Sequence, residues 1–228
     1  KTGLFYGTGT EKTTFVANKI RKAFGEDQID IIPIETHGKE ISKAYDHIIA
    51  GTSTWFDGEL PTYWDEIIPE LVTLDLKNKK VAIFGLGDQT NYPDIFADGV
   101  GILADAFTSC GATLVGETSS DDYFFNASKA LKNGKLLGLV LDLENQPDQT
   151  DKRIGDGEAI EGGVLDKEEC ILNRKRELNR KRNESLHGFV TPSFYTPVFH
   201  THTVPTSTIA LAQLATLMAY PCHSDGKP

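Results

Sequence analysis

The chain has 228 residues, enough for one core of the usual size of about 150 residues with a remainder. It carries 23 Lys and Arg against 33 Asp and Glu, a formal net charge of −10, a field that repels nucleic acid and anionic membranes and steers toward basic protein surfaces. Cys110, Cys170 and Cys222 lie far apart with no C-x-x-C, which argues against a disulfide framework or a zinc site and for a reducing compartment, and the longest apolar-biased run, Ile209 to Tyr220, falls short of the roughly 18 residues of a spanning helix.

Leu4-Phe5-Tyr6 is a strand signal that runs into Gly7-Thr8-Gly9-Thr10-Glu11-Lys12-Thr13-Thr14, a hydroxyl-rich turn opening a helix. Backbone N–H groups, threonine hydroxyls and the positive end of the helix dipole suit an anion there. The turn lacks the Lys-[Ser/Thr] ending of a nucleoside-triphosphate loop and the three spaced glycines of a dinucleotide site, which leaves a phosphomonoester. An ordinary Thr-rich helix cap is the competing reading. Phe15, Val16, Ala17, Ile20, Ala23 and Phe24 then recur at helical spacing, with Gly25 at the C-cap position. Residues 29–34, 48–51 and 80–85 read as strands, 94–109 as a helix and 112–116 as a fifth strand. Short continuous apolar runs alternating with helices predict parallel strands covered on both faces. The expected fold is doubly wound α/β.

In such sheets ligands lie outside the carboxyl ends of the strands. Three loops have that placement: the Thr-rich turn, residues 52–59 and residues 85–94. Trp55 and Tyr92 stand in polar, glycine-bearing loops where a core role is hard to defend, and together they suit the two faces of a flat ring whose phosphate tail lies in the first turn. Flavin mononucleotide (FMN) fits. The expected contacts are Thr8, Gly9, Thr10, Glu11, Lys12 and Thr13, then Ser53, Thr54, Trp55, Phe56, Asp57 and Gly58, then Gly85, Leu86, Gly87, Asp88, Tyr92 and Asp94. None of them is a catalytic acid, base or nucleophile in the usual sense, so the expectation is a carrier and not an enzyme.

Thr8, Thr10 and Thr13 in the pattern Thr-x-Thr-x-x-Thr, Thr54-Trp55 followed by Gly58-Glu59-Leu60, and Gly85-x-Gly87-Asp88-Gln89 with Tyr92 stand together in register. On these motifs residues 1 to about 154 resemble a flavodoxin. Residues 117–137, with Asp122-Tyr123-Phe124-Phe125-Asn126, are similar to the insertion that interrupts strand five in long-chain members. The resemblance implies strand order 2-1-3-4-5 and a monomeric, low-potential one-electron carrier with FMN. It also implies basic-surfaced redox partners, such as a ferredoxin/flavodoxin-NADP reductase type protein, and a cytoplasmic location, or the plastid stroma in a eukaryote. By the same resemblance the Phe56-Asp57 peptide turns its carbonyl toward flavin N5 once the first electron arrives. Asp57, Asp88 and Asp94 would disfavour further negative charge on the ring and lower the second potential.

Three positions depart from the family pattern: Glu11 stands where glycine is usual, Ser53 where proline is usual and Ile95 where asparagine is usual. Weaker cofactor binding is the expectation, through repulsion between Glu11 and the phosphate. The closing helix is replaced by Gly155-Asp156-Gly157 and Gly162-Gly163, a glycine density that does not sustain a helix. Domain one is therefore 1–154, and 155–228 is an extension. The extension offers a helical stripe from Val164 to Leu178, a doubled Asn-Arg-Lys-Arg at 173–176 and 179–182, an irregular Thr/Pro/His segment over 187–206 and a short helix over 208–220. Residues 1–151 hold 13 Lys and Arg against 24 Asp and Glu, so the acidity lies in the first domain. Two other functions fit the same residues: a flavin-dependent NAD(P)H:quinone reductase, and a degenerate binding module that takes no flavin.

Overall fold

In chain order the elements are β1 (Thr2–Tyr6), α1 (Glu11–Phe24), β2 (Ile29–Pro33), α2 (Ile34–His37), β3 (His47–Ser53), α3 (Thr62–Asp65), α4 (Ile68–Leu71), β4 (Lys80–Leu86), α5 (Asp98–Ser109), β5 (Thr113–Val115), β6 (Thr118–Ser119), β7 (Leu131–Lys132), β8 (Lys135–Leu136), β9 (Leu139–Leu141) and α6 (Thr150–Gly155). The computed structural model describes residues 1–155 apart from Thr8, Thr10, 38–40 and 42–44, together with Lys175, Arg176, Asn179 and Arg182, which are helical and exposed. Of the expected extension, the stripe from Val164 to Leu178, the rest of the basic repeat, the segment 187–206 and the helix over 208–220 lie outside the described residues.

The main sheet is parallel, in the order β2-β1-β3-β4-β5. Its strands are continuous apolar runs because both faces are covered, and the alternation of the pleat sorts them into two layers. Phe5, Ile48, Ala50, Val81 and Ile83 face one core, with Val100, Leu103 and Phe107 of α5 and the buried Trp64. Leu4, Tyr6, Ile49, Ala82 and Phe84 face the other, with Val16, Ile20 and Phe24 of α1 and Ile154 of α6.

The fifth sheet position is shared by two strands. β5 pairs with Lys80, Val81 and Ala82, the first half of β4, whereas β9 pairs with Phe84, Gly85 and Leu86, the second half. Between them the expected insertion forms a small antiparallel sheet in the order β6-β8-β7. Asp98, only 3% exposed, fastens the insertion to the start of α5 by accepting the Lys129 N–H at 2.8 Å and pairing with Lys129 Nζ at 3.2 Å.

Several boundaries differ from the sequence reading. Helix α5 starts at Asp98 and not at Asp94, because Ala97 is left-handed (φ 54°) and cannot continue a right-handed helix. Ile34 opens α2 instead of closing β2. Phe15 is off the buried stripe of α1: it is 50% exposed, with Lys19 Nζ 5.0 Å from its ring centroid.

Candidate functional site

At the carboxyl ends of β1, β3, β4 and β9 lies a cavity of about 390 Å³. Lys12 reaches it from the first turn of α1. Ser53 at the end of β3 and Thr54, Trp55 and Phe56 in the loop after it also reach it, as do Leu86 at the end of β4 and Gly87, Asp88 and Tyr92 in the loop that follows. These nine expected residues are brought together. Four more line it that the sequence reading did not name as contacts: Ile95, Ala97, Leu143 and Glu144.

The other expected residues stand as follows. Gly9 lies beside the Tyr63 ring, and Glu11 is exposed in the first turn of α1. Thr13 is fully buried on the inner face of the same helix. Gly85 sits within β4 because a Cβ there would lie 2.1 Å from Val100 Cγ2. Asp57 and Gly58 form the turn beyond Phe56, and Asp94 accepts the Asn126 Nδ2 proton at 2.9 Å. None of these is a wall of the cavity among the described residues, and Thr8 and Thr10 lie outside those residues.

The loop after β3 is a closed turn. Trp55 and Glu59 exchange both backbone hydrogen bonds, at 2.9 and 2.8 Å, and the Gly58 N–H donates to the Trp55 carbonyl at 3.1 Å. Phe56 at its tip is left-handed (φ 41°), a conformation that costs a residue with a bulky side chain about 1 kcal/mol or more. Gly58 (φ 87°) has a second reason to be glycine: a Cβ would stand 2.7 Å from Asp98 Oδ2. Trp55 packs edge-on against Tyr63, with centroids 6.4 Å apart, which steadies one wall.

The loop after β4 is built on carboxylates. Asp88 accepts the Thr90 and Asn91 N–H groups at 3.2 and 3.0 Å and the side-chain amides of Asn91 and Asn145 at 2.6 and 2.9 Å. Burial pushes the Asp88 carboxyl up, but these donors outweigh it and hold the group below the usual carboxylate range. Asp142, 1% exposed, accepts the Gln89 N–H at 3.1 Å and the Glu144 and Asn145 N–H groups at 3.1 and 2.9 Å. One buried carboxylate thus clasps the loop after β4 to the loop after β9.

At the end of the cavity nearest α1, Lys12 forms an ion pair with Glu144. Behind it, the Tyr63 ring fills the space a Cβ of Gly7 would need, at 1.9 Å. The Ser53 and Tyr63 hydroxyls are buried, and among the described residues neither has a partner at hydrogen-bonding geometry. Burial pushes the Tyr63 phenol up to about 12, with Ser53 pulling slightly the other way. A helix N-terminus, a lysine, the orphaned Ser53 hydroxyl and two partly exposed aromatics on one cavity match a planar ligand with an anionic tail. No group of three or more His, Cys, Asp or Glu able to hold a metal occurs among the described residues, nor is any helix among them long and apolar enough to cross a membrane.

Comparison with known proteins agrees with this geometry. A family model described as Flavodoxin matches residues 4–155. The chain is 46% identical over 154 residues to a flavodoxin of Nostoc sp., covering 68% of this chain and 91% of that protein. It is 42% identical over 153 residues to one of Haemophilus influenzae, covering 67% and 88%. Among solved structures, a Fusobacterium nucleatum flavodoxin bound to flavin mononucleotide superposes with a TM-score of 0.66 at 34% identity, covering 69% of this chain and 93% of that one. The sheet order, the split fifth strand and the matched motifs have one source: the chain belongs to the flavodoxin family.

Proposed function

We infer that this protein is an electron-transfer protein that holds FMN in the cavity and passes single electrons between redox partners. The observation that carries the reading is the cavity itself, with Trp55 and Tyr92 on its walls and the start of α1 with Lys12 at one end. FMN fits that set of side chains, and when bound it supplies reversible one-electron chemistry. Trp55 and Tyr92 hold the ring. Lys12, Ser53 and the N–H groups at the start of α1 receive the phosphate, and Thr54 and Asp88 line the space between.

The chain's charge sets the direction of the chemistry. Asp57, Asp88 and Asp94 lie in the two ring-side loops, and Asp88 is held ionised by its four donors. Carboxylates there oppose further negative charge on the ring, which makes the reduced carrier a strong reductant. The same acidity favours basic redox partners of the ferredoxin/flavodoxin-NADP reductase kind. The relatives that the chain matches are flavodoxins, which favours a carrier over a quinone reductase. We place the carrier domain at 1–154, acting as a monomer in the cytoplasm or a plastid stroma.

The test is reconstitution of the purified chain with FMN, followed by its visible spectrum and flavin fluorescence. A one-to-one complex with quenched fluorescence supports the reading. A colourless protein that cannot be reconstituted would sink it.

A further inference from the structure

Six large apolar side chains are left exposed among the described residues, and three of them stand in or beside the ring-side loops: Phe56 at 76%, Tyr92 at 56% and Phe124 at 81%. Phe56 and Tyr92 are walls of the cavity, but Phe124 is not. Its exposure is built in. In Tyr123-Phe124-Phe125 both neighbours pack on Phe96, with ring centroids 5.3 and 4.9 Å away, and the middle side chain is left outward. The Phe124 N–H donates to Gln89 Oε1 at 2.7 Å, and Gln89 is itself buried with its N–H on Asp142. Two residues on, the Asn126 and Ala127 N–H groups donate to the Pro93 carbonyl at 2.8 and 3.0 Å.

Phe124 is therefore fixed in water on a segment clasped to the loop that carries Asp88 and Tyr92. An apolar ring held outward by anchors on both sides is preorganised for contact, which lowers the ordering cost of binding. The loop segments beside it are acidic: residues 53–59, 87–98 and 120–127 carry seven carboxylates, of which only Asp98 is buried and paired, and no Lys or Arg. Of the nearby cations, Lys129 pairs with Asp98, Lys12 pairs with Glu144, and Arg153 lies on the inner side of the segment, its guanidinium 4.1 Å from the Tyr123 ring centroid with its nitrogens buried.

We propose that Phe124 is the apolar anchor of a docking surface for a basic-surfaced redox protein, with Asp121 and Asp122 supplying the steering charge beside the cavity mouth. This rests on the carrier reading above. An apolar centre within a charged rim is the usual division of labour at an interface: the centre sets how long the complex lasts, and the rim sets encounter rate and salt dependence.

The test uses the full chain loaded with FMN and, as probe, cytochrome c, a small basic haem protein. Binding and second-order electron transfer are measured across ionic strength for the parent, Phe124→Ala and Asp121→Asn/Asp122→Asn. Phe124→Ala should lower affinity and rate about tenfold at fixed salt, with FMN affinity, melting temperature and elution volume unchanged. The double Asn variant should flatten the salt dependence. Affinity and rate within twofold of the parent would overturn the proposal. So would a parallel loss of FMN affinity, which would make Phe124 part of the flavin site. A fall in melting temperature would show that the chain itself covers Phe124, and a changed elution volume that a second copy does. A parent that binds cytochrome c but passes no electron would sink the carrier reading and leave the surface standing.

Discussion

Lys12 and Glu144, 132 residues apart in the chain, form an ion pair at the wall of the cavity. The lysine comes from the first turn of α1 and the carboxylate from the loop after β9, so the pair links the earliest and latest parts of the site. Both side chains are substantially exposed, at 61% and 45%, and such pairs contribute about 0–1 kcal/mol. A phosphate arriving at α1 competes with Glu144 for the same ammonium group. Glu144→Gln should tighten FMN binding by up to about fivefold, leave riboflavin binding unchanged and lose the gain at high salt. Equal gains for both ligands would remove the competition argument.

Trp55 and Tyr92 are expected to act as a pair. Replacing both with Ala should weaken FMN binding by a few kcal/mol, since aromatic contacts contribute about 0.5–1.5 kcal/mol each beyond area burial. Riboflavin should lose as much as FMN, because the ring and not the phosphate is affected. An unchanged dissociation constant, read by fluorescence titration, would dismiss stacking on these two residues.

Glu11 stands apart from the phosphate argument made for it on sequence grounds. It is exposed in the first turn of α1 and is not a wall of the cavity, so solvent and salt screen its charge. A carboxylate in the first turn also favours the helix by about 0.3–1 kcal/mol, and glycine there costs backbone entropy. Glu11→Gly should lower the stability of the flavin-free protein by about 1 kcal/mol and change the ratio of FMN to riboflavin affinity less than about threefold. A large, salt-sensitive gain for FMN alone would restore direct repulsion.

Alkaline stability should depend on two buried phenols. Burial pushes both Tyr63 and Tyr123 up to about 12, while unfolded tyrosine ionises near pH 10. Below pH 10 both are neutral in both states and their contribution is complete. Between about 10 and 12 the unfolded chain loses protons that the native chain keeps, so stability falls as pH rises. Tyr63→Phe should make that fall shallower at little cost at neutral pH, since its hydroxyl has no partner to lose among the described residues. Tyr123→Phe should cost about 1 kcal/mol at pH 7, because Tyr123 donates to the Val140 carbonyl at 2.5 Å. Urea titrations from pH 7 to 11 would check both.

Most of the fold was legible because its signals are local. Continuous apolar runs set β1, β3 and β4, and the turn after Tyr6 announced α1. Nine walls of the cavity were legible for the same reason, lying in loops that directly follow those runs. Leu143 and Glu144 were not, because β9 takes the upper half of a strand position already opened by β5; the carboxyl-end rule, applied to the run ending at Leu141, would have found them. Ile95 and Ala97 were assigned to a helix that starts later. Nothing in an alanine side chain encodes a left-handed backbone, and the turn is fixed instead by contacts such as the Phe96 N–H to the Ala127 carbonyl at 3.2 Å. Phe15 illustrates the opposite limit: its helical spacing was adequate, but its angle around α1 leaves it against Lys19 in solvent.

The sharing of the fifth sheet position has a consequence for biosynthesis. A chain emerging from the ribosome can pair β5 with the lower half of β4 before residues 139–141 have emerged, yet the last wall of the cavity, Leu143 and Glu144, follows β9. The nascent protein therefore has a nearly finished sheet and an open site until the insertion has been threaded and β9 has closed. A ligand that recognises only the closed form adds stability by mass action, about 2.7 kcal/mol at a hundredfold excess over its dissociation constant, and it does so as the final step of maturation. A flavin that binds only after β9 has closed therefore protects the finished domain from proteolysis and leaves the unfinished one unprotected.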